Sequence, residues 1–258
     1  MRAPCVVLLG IGKGAGLACA HKFVDAKWNV VIVDGNHNTL SLAEKDLGTS
    51  CHYLHEDQFT RLGLKNALSG TLEQFDGVDV VVSVPPIPEP GDLASMTAEA
   101  MTTYSKQSVQ ATLLAAQIFS KEMIGELETE DRQVEKLPQG KSFIHVLSRA
   151  AISSDPGYLA ASVTQGAMLA AVKALAIEFA PFKIRSNAVV AIRPRAENTE
   201  PWLKMRTPLE RSAKPSEVAD TVFFLASAEA RFITGQGLEL DGGRSVLNGV
   251  MKLDETGK

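Results

Sequence analysis

Cys5-Val-Val-Leu-Leu9-Gly10-Ile-Gly12-Lys13-Gly14-Ala15-Gly16-Leu17 decides the fold of this chain. Five apolar residues run without a break into a cluster of glycines, as in a parallel strand buried on both faces. Apolar residues then recur at helical spacing (Leu17, Ala20, Phe23, Val24) as far as Ala26. Strand, glycine turn and helix in this order can grip a pyrophosphate. Glycines let the backbone turn tightly and approach the phosphates, while the helix N-terminus offers unpaired N–H groups and a positive dipole end. The cluster fits two frames, Gly10-x-Gly12-x-x-Ala15 and Gly10-x-x-x-Gly14-x-Gly16. It does not fit a P-loop, because no Gly-Lys-Ser/Thr follows at the required distance. Asp34 follows the next apolar run, Val30–Val33. A carboxylate there accepts hydrogen bonds from both adenosine ribose hydroxyls and repels a 2′-phosphate.

Working outward, apolar runs and helical patterns alternate. Strands are expected at Tyr53–Leu54, Val78–Val82, Phe143–Leu147, Ile184–Ile192 and Gly237–Leu240. Helices are expected at Ser41–Leu47, about Phe59–Phe75, Thr97–Ile124, Tyr158–Phe179 and Ser216–Ser227. Such alternation implies a parallel sheet covered on both faces. The reading is a single-domain, doubly wound (Rossmann) α/β fold over residues 1–258. Two stretches interrupt it. Gly125 to Lys141, charged and ending in Pro and Gly, reads as a solvated loop rather than a partner-binding arm. Arg193 to Arg206 falls where such folds place a substrate lid, and Arg193, Arg195 and Arg206 there read as solvated charges rather than anion ligands.

Composition narrows the function classes. The chain has 258 residues, 45% of them hydrophobic, enough for one large core. A net charge of −4 gives no basic footprint for nucleic acid or an anionic membrane surface. No unbroken apolar run approaches the roughly 18–20 residues that span a bilayer. Residues 1–10 lack a signal-peptide pattern. Cys5, Cys19 and Cys51 have no metal-ligand spacing and suit reduced thiols, so a cytoplasmic location is expected. On a strand His52 points away from Cys51 and His55, which speaks against a metal site. Ser148 and His145 fall on opposite strand faces, and no nucleophile elbow surrounds the serine.

Near the far end, Lys214-Pro-Ser-Glu217-Val-Ala-Asp-Thr-Val-Phe-Phe-Leu-Ala-Ser227 and Ile233-Thr-Gly-Gln-Gly-Leu-Glu-Leu-Asp241-Gly-Gly243 are similar to the C-terminal signature of the short-chain dehydrogenase/reductase family. The second glycine frame, through Gly16, resembles that family's loop, and the resemblance covers almost the whole chain. It implies an NAD(P)-dependent oxidoreductase acting on a small molecule and assembling as a homodimer or homotetramer through its two long helices. It places Gly10, Gly12, Lys13, Gly14, Ala15 and Gly16 around the phosphates, and Asp57 with Gln58 at the adenine. Asp57 can at the same time cap the following helix. Asp34 favours NAD(H). Lys13 looks like the 2′-phosphate-binding variants, which keeps NADP(H) open.

The departures gather at the nicotinamide end. The family's Tyr-x-x-x-Lys falls on Ala161 and Gln165. Its Asn-Asn-Ala-Gly is Ser83-Val-Pro-Pro86, its helix asparagine corresponds to Ser108, and its Pro-Gly is Ala191-Ile192. Ser148 keeps the family's serine, thirteen residues before Ala161. Enoyl reductases, divergent relatives, use Tyr-x6-Lys, and Tyr158 with Gln165 fits that spacing with an amide for the amine. Tyr158 would then sit roughly 4.5 Å further along the helix than the family tyrosine. A neutral amide at 165 keeps a hydrogen bond to a nicotinamide ribose but does not favour phenolate, so Tyr158 suits proton donation rather than proton removal. Two readings follow. One is a reductase of carbonyl or enoyl compounds built around Ser148 and Tyr158. The other is a dinucleotide-binding or structural homo-oligomer without catalysis.

Overall fold

The computed structural model describes residues 2–12, 14–129, 140–192, 203 and 205–250. Seven strands form one parallel sheet: β1 (Cys5–Leu9), β2 (Asn29–Val33), β3 (His52–Leu54), β4 (Val80–Ser83), β5 (Lys141–Ser148), β6 (Ile184–Ala191) and β7 (Gly237–Leu240). Their spatial order is β3-β2-β1-β4-β5-β6-β7. The order reverses between β1 and β4, and that crevice is where ligands bind in open α/β sheets.

Helices cover both faces. One face carries α1 (Ala15–Asp25), α2 (His37–Leu47) and α7 (Pro215–Ala226); Leu8, Ile32, Val82 and Ile144 pack there against Phe23, Leu40 and Val222. Phe23, Trp28 and Phe223 meet edge to face, with centroids 5.1 and 5.4 Å from Phe23, and pin α1 to α7. The other face carries α3 (Arg61–Phe75), α5 (Ala111–Thr129) and α6 (Leu159–Phe179), with Phe119, Met123 and Phe143 at its centre. The doubly wound architecture therefore holds.

Several boundaries differ from the sequence reading. The long helix expected over Thr97–Ile124 is α4 (Ala98–Ser105), a π-helical segment (Lys106–Gln110) and α5. Helix α2 begins four residues early because the Asn36 side chain accepts from the Thr39 N–H and starts it. The loop reading of Gly125–Lys141 fails at both described ends. Helix α5 runs to Thr129, and Lys141 opens β5 fully buried; residues 130–139 lie outside the described ones. Lys141 is tolerated inside because its Nζ donates to the Val78 carbonyl (2.7 Å) and lies 3.6 Å from the Asp79 carboxylate. Arg2 binds that same carboxylate at 2.6 Å. Leu159–Phe182 is long and apolar enough on average to cross a membrane, although Gln165, Lys173 and Glu178 interrupt it. In this fold Met168 and Val172 of α6 pack on Leu147, Ala188 and Val190 of the sheet. Burial pushes the Cys19 thiol up to about 12 and the Cys51 thiol to about 11, so both stay protonated at neutral pH.

Candidate active site

The C-terminal ends of β1 to β4 open into a cleft of about 750 Å³ whose walls include Gly10, Gly12, Asp34, Asp57 and Gln58. Gly10 has φ +79°, and its N–H donates to the Val33 carbonyl (2.9 Å). A Cβ at Gly10 would lie 2.8 Å from the Val84 carbonyl oxygen, so only glycine fits. Gly12 and Gly14 have nothing within 4 Å of where a Cβ would stand, which leaves their backbone open to a ligand. Gly16 serves packing instead: a Cβ there would collide with the Ile11 carbonyl. Helix α1 receives no side-chain cap from Gly14, so its first N–H groups remain for an anion. These features fit a pyrophosphate. Lys13 lies outside the described residues.

Asp34 is buried at the end of β2, and both carboxylate oxygens are engaged by backbone. Oδ2 accepts from the Ile11 N–H (3.0 Å) and Oδ1 from the Asn36 N–H (2.8 Å). A carboxylate offers about four acceptor positions, so two remain for ribose hydroxyls. Gln58, also buried, accepts from the Gly35 N–H through Oε1 (2.8 Å) and so holds the Asp34 turn. Asp57 is exposed, and its Oδ1 accepts from the Phe59 N–H (2.9 Å). It does not cap α3: Thr60 does, through Gly63 (3.1 Å). The sequence reading missed Asn36, His37, Pro85, Pro86 and Gln107 as cleft walls. Position after β2 was a usable signal for the first two. The last three depend on how the β4–α4 connection and α4 fold over the sheet.

A second cavity, of about 330 Å³, shares Gly12 and Val84 with the first. Gly14 and Ala15 border it on one side, and Val146, Leu147, Ile192 and Val218 on the other. Two chambers thus flank the glycine turn, one polar and one lined by aliphatic side chains.

The residues expected at the reactive end are not brought together in that cavity. Ser148 ends β5; its Oγ is buried with no partner among the described residues, and its N–H donates to Gln165 Oε1 (3.0 Å). Gln165 is fully buried, and neither residue lines either cavity. The expected ribose contact of Gln165 is therefore corrected to a strut between α6 and β5. A buried backbone N–H there takes its oxygen. Ala161, one turn earlier, is buried as well. Tyr158 is half-buried just before α6; its N–H donates to the Asp155 carbonyl (3.1 Å) and its carbonyl accepts from the Ser162 N–H (2.8 Å). Ser83 is half-buried at the end of β4, beside Leu9 and His145 in register. Ser108 sits inside the π-helical segment, and its Oγ donates to the Tyr104 carbonyl (2.6 Å). Such segments recur at functional sites. His145 is fully buried with neither ring nitrogen paired among the described residues, and burial pushes it down to about 4. Among the described residues no group of three His, Cys, Asp or Glu could hold a metal.

A parallel sheet with a glycine turn beside its switch point and a buried acid at the end of the next strand is the architecture of dinucleotide-binding proteins. The sequence matches the family described as Enoyl-(Acyl carrier protein) reductase over residues 10–245. Galactitol 2-dehydrogenase (L-tagatose-forming) of Cereibacter sphaeroides is 26% identical over 252 residues, 94% of this chain and 95% of that protein. Dehydrogenase/reductase SDR family member 4 of Pongo abelii is 26% identical over 248 residues, 89% of this chain and 83% of that protein. The crystal structure of 3-ketoacyl-(acyl-carrier-protein) reductase from Brucella melitensis complexed with NADH has a TM-score of 0.85 at 24% identity, covering 95% of this chain and 99% of that one. That likeness carries the fold alone. The chain belongs to the short-chain dehydrogenase/reductase oxidoreductases, which use a nicotinamide dinucleotide.

Proposed function

We propose that this chain is an NAD(H)-dependent reductase of a carbonyl or conjugated alkene, with Tyr158 as its proton-donating side chain. The observation that carries the reading is Asp34, held at the end of β2 by the Ile11 and Asn36 N–H groups with acceptor capacity still facing the cleft. A fixed negative charge there favours two ribose hydroxyls and opposes a 2′-phosphate, so NAD(H) is preferred to NADP(H). When bound, the dinucleotide supplies hydride. The chain supplies the rest: N–H groups of Gly12 to Gly16 for the phosphates, Asp57 and Gln58 at the adenine, and aliphatic walls that exclude water beyond Gly12. Tyr158 completes the reduction by giving up a proton. Exposed Leu113 on α5 and exposed Leu159, Val163 and Ile177 on α6 support a homodimer or homotetramer through those helices.

A second reading is favoured by one observation. Ser148 Oγ and Gln165 Nε2 are both buried and unpartnered among the described residues, which suits a chain that binds the dinucleotide without turning it over. Fluorescence titration with NADH and NADPH, against Asp34→Asn, tests the shared premise: NADH is expected to bind more tightly, and the variant about tenfold or more weakly. A screen of carbonyl and enoyl reduction with Tyr158→Phe separates the readings. Turnover that survives in that variant refutes the role of Tyr158, and NADH binding with no turnover on any substrate selects the second reading.

A further inference from the structure

The connection from β4 to α4 begins Val84-Pro85-Pro86-Ile87-Pro88-Glu89-Pro90-Gly91. Its first residue is fixed to the sheet, since the Val84 N–H donates to the Leu9 carbonyl (2.9 Å). Pro85 and Pro86 then form part of the wall of the dinucleotide cleft. At the far end the Gly91 N–H donates to the Gly157 carbonyl (2.9 Å), immediately before Tyr158. Gly157 has φ +83°, and a Cβ there would stand 3.5 Å from the Gly91 oxygen and 3.6 Å from Pro90 Cβ. The two backbones therefore lie in close approach at a position that favours glycine. Tyr158 is held in the same turn by the Asp155 carbonyl, and the Asp155 carboxylate is 3.9 Å from the Arg244 guanidinium.

Four prolines in the seven residues from 85 to 91 fix φ at those positions. Proline-rich segments of this kind act as semi-rigid spacers rather than flexible coils. A floppy connection would absorb a displacement at Pro85 and Pro86. A stiff one passes it to Gly91.

We propose that Val84–Gly91 is a stiff strap coupling the dinucleotide cleft to the turn that presents Tyr158, with Gly91 and Gly157 as positioning residues for that tyrosine. This rests on the reading that the cleft takes a dinucleotide. A ligand that fills the cleft presses on Pro85 and Pro86, so filling it orders the far turn as well. The strap is thereby a device that readies Tyr158 only when the adenosine end is occupied. This is a coupling between two sites through a defined contact, and it is reciprocal.

Hydrogen exchange on the full chain, with and without NADH, tests it after a titration has established binding. NADH is expected to slow exchange at residues 34–39 and also at residues 157–162, which lie across the strap. Gly91→Pro removes the donor, and a Cβ at 91 meets nothing within 4 Å. In that variant exchange at 157–162 is expected to quicken about fivefold, and NADH protection to remain at 34–39 only. If Gly91→Pro does not fold by circular dichroism, the wild-type comparison decides alone. Binding with protection confined to residues 34–39 in the wild type overturns the coupling and leaves the cofactor reading standing. A titration with no NADH binding overturns the cofactor reading, and the coupling falls with it.

Discussion

His145 is fully buried, neither ring nitrogen has a partner among the described residues, and burial pushes it down to about 4. Replacement by leucine, close in volume and with no polar atoms, should abolish a component of the acid sensitivity of this fold. The direction follows from proton binding. As pH falls, unfolded chain takes up a proton at about 6.5, while folded chain does not until about 4. Protons therefore favour the unfolded state in that window. The full contribution is present above about 6.5 and is lost as pH falls towards 4. The separation corresponds to about 3 kcal/mol over the whole window and about 2 kcal/mol by pH 5. Urea unfolding of wild type and His145→Leu at pH 7, 6, 5 and 4.5 measures it, because carboxylate titrations common to both cancel in the difference. The difference is expected to widen as pH falls, with the variant also somewhat more stable at pH 7 because two unpaired buried nitrogens are gone. A difference constant from pH 7 to 4.5 would refute the assignment and mean that His145 binds its proton as easily folded as unfolded.

Two further outcomes concern α6. Gln165→Leu removes the acceptor of the buried Ser148 N–H and is expected to cost about 1–2 kcal/mol, or several degrees in melting temperature, by differential scanning fluorimetry; an unchanged melting temperature would count against the strut. Restoring the family pair with Ala161→Tyr and Gln165→Lys together is expected to destabilise by about 2 kcal/mol or more and to yield no NAD⁺-dependent alcohol oxidation, since both positions are buried. Oxidation gained without loss of stability would show that the family geometry is intact behind those two residues.

The elements most legible in the sequence were those set by local spacing. Cys5–Leu9 and Gly237–Leu240 are strands over the same residues in sequence reading and structure. Asp34 and the glycines could be placed because the turn, the helix start and the end of β2 lie close together in the chain. Lys141 was misread because its partners, the Val78 carbonyl and Asp79, are some sixty residues away. In a linear reading it was one more charge in a polar stretch. The π-helical segment at Lys106–Gln110 was equally hidden, since apolar periodicity continues through it almost unbroken. Gln165 illustrates a third limit. Whether its amide turned to the cleft or to a backbone donor depended on where β5 ended.

The burial of positions 161 and 165 bears on which side chains they accept. A lysine at 165 would bring a charge into a sealed position, tolerable only if it reached the cleft or found an acceptor. A glutamine there binds the Ser148 N–H and leaves no buried charge, and an alanine at 161 leaves no phenol to place. Glutamine at 165 and alanine at 161 are therefore compatible with each other and with the sheet. What they leave unpaired is specific: Ser148 Oγ and Gln165 Nε2, on either side of the hydrogen bond that joins β5 to α6. Buried polar atoms without partners cost stability, of order 1–3 kcal/mol each. Neither residue lines the cleft or the aliphatic cavity, so nothing that fills either chamber as it stands would relieve that cost.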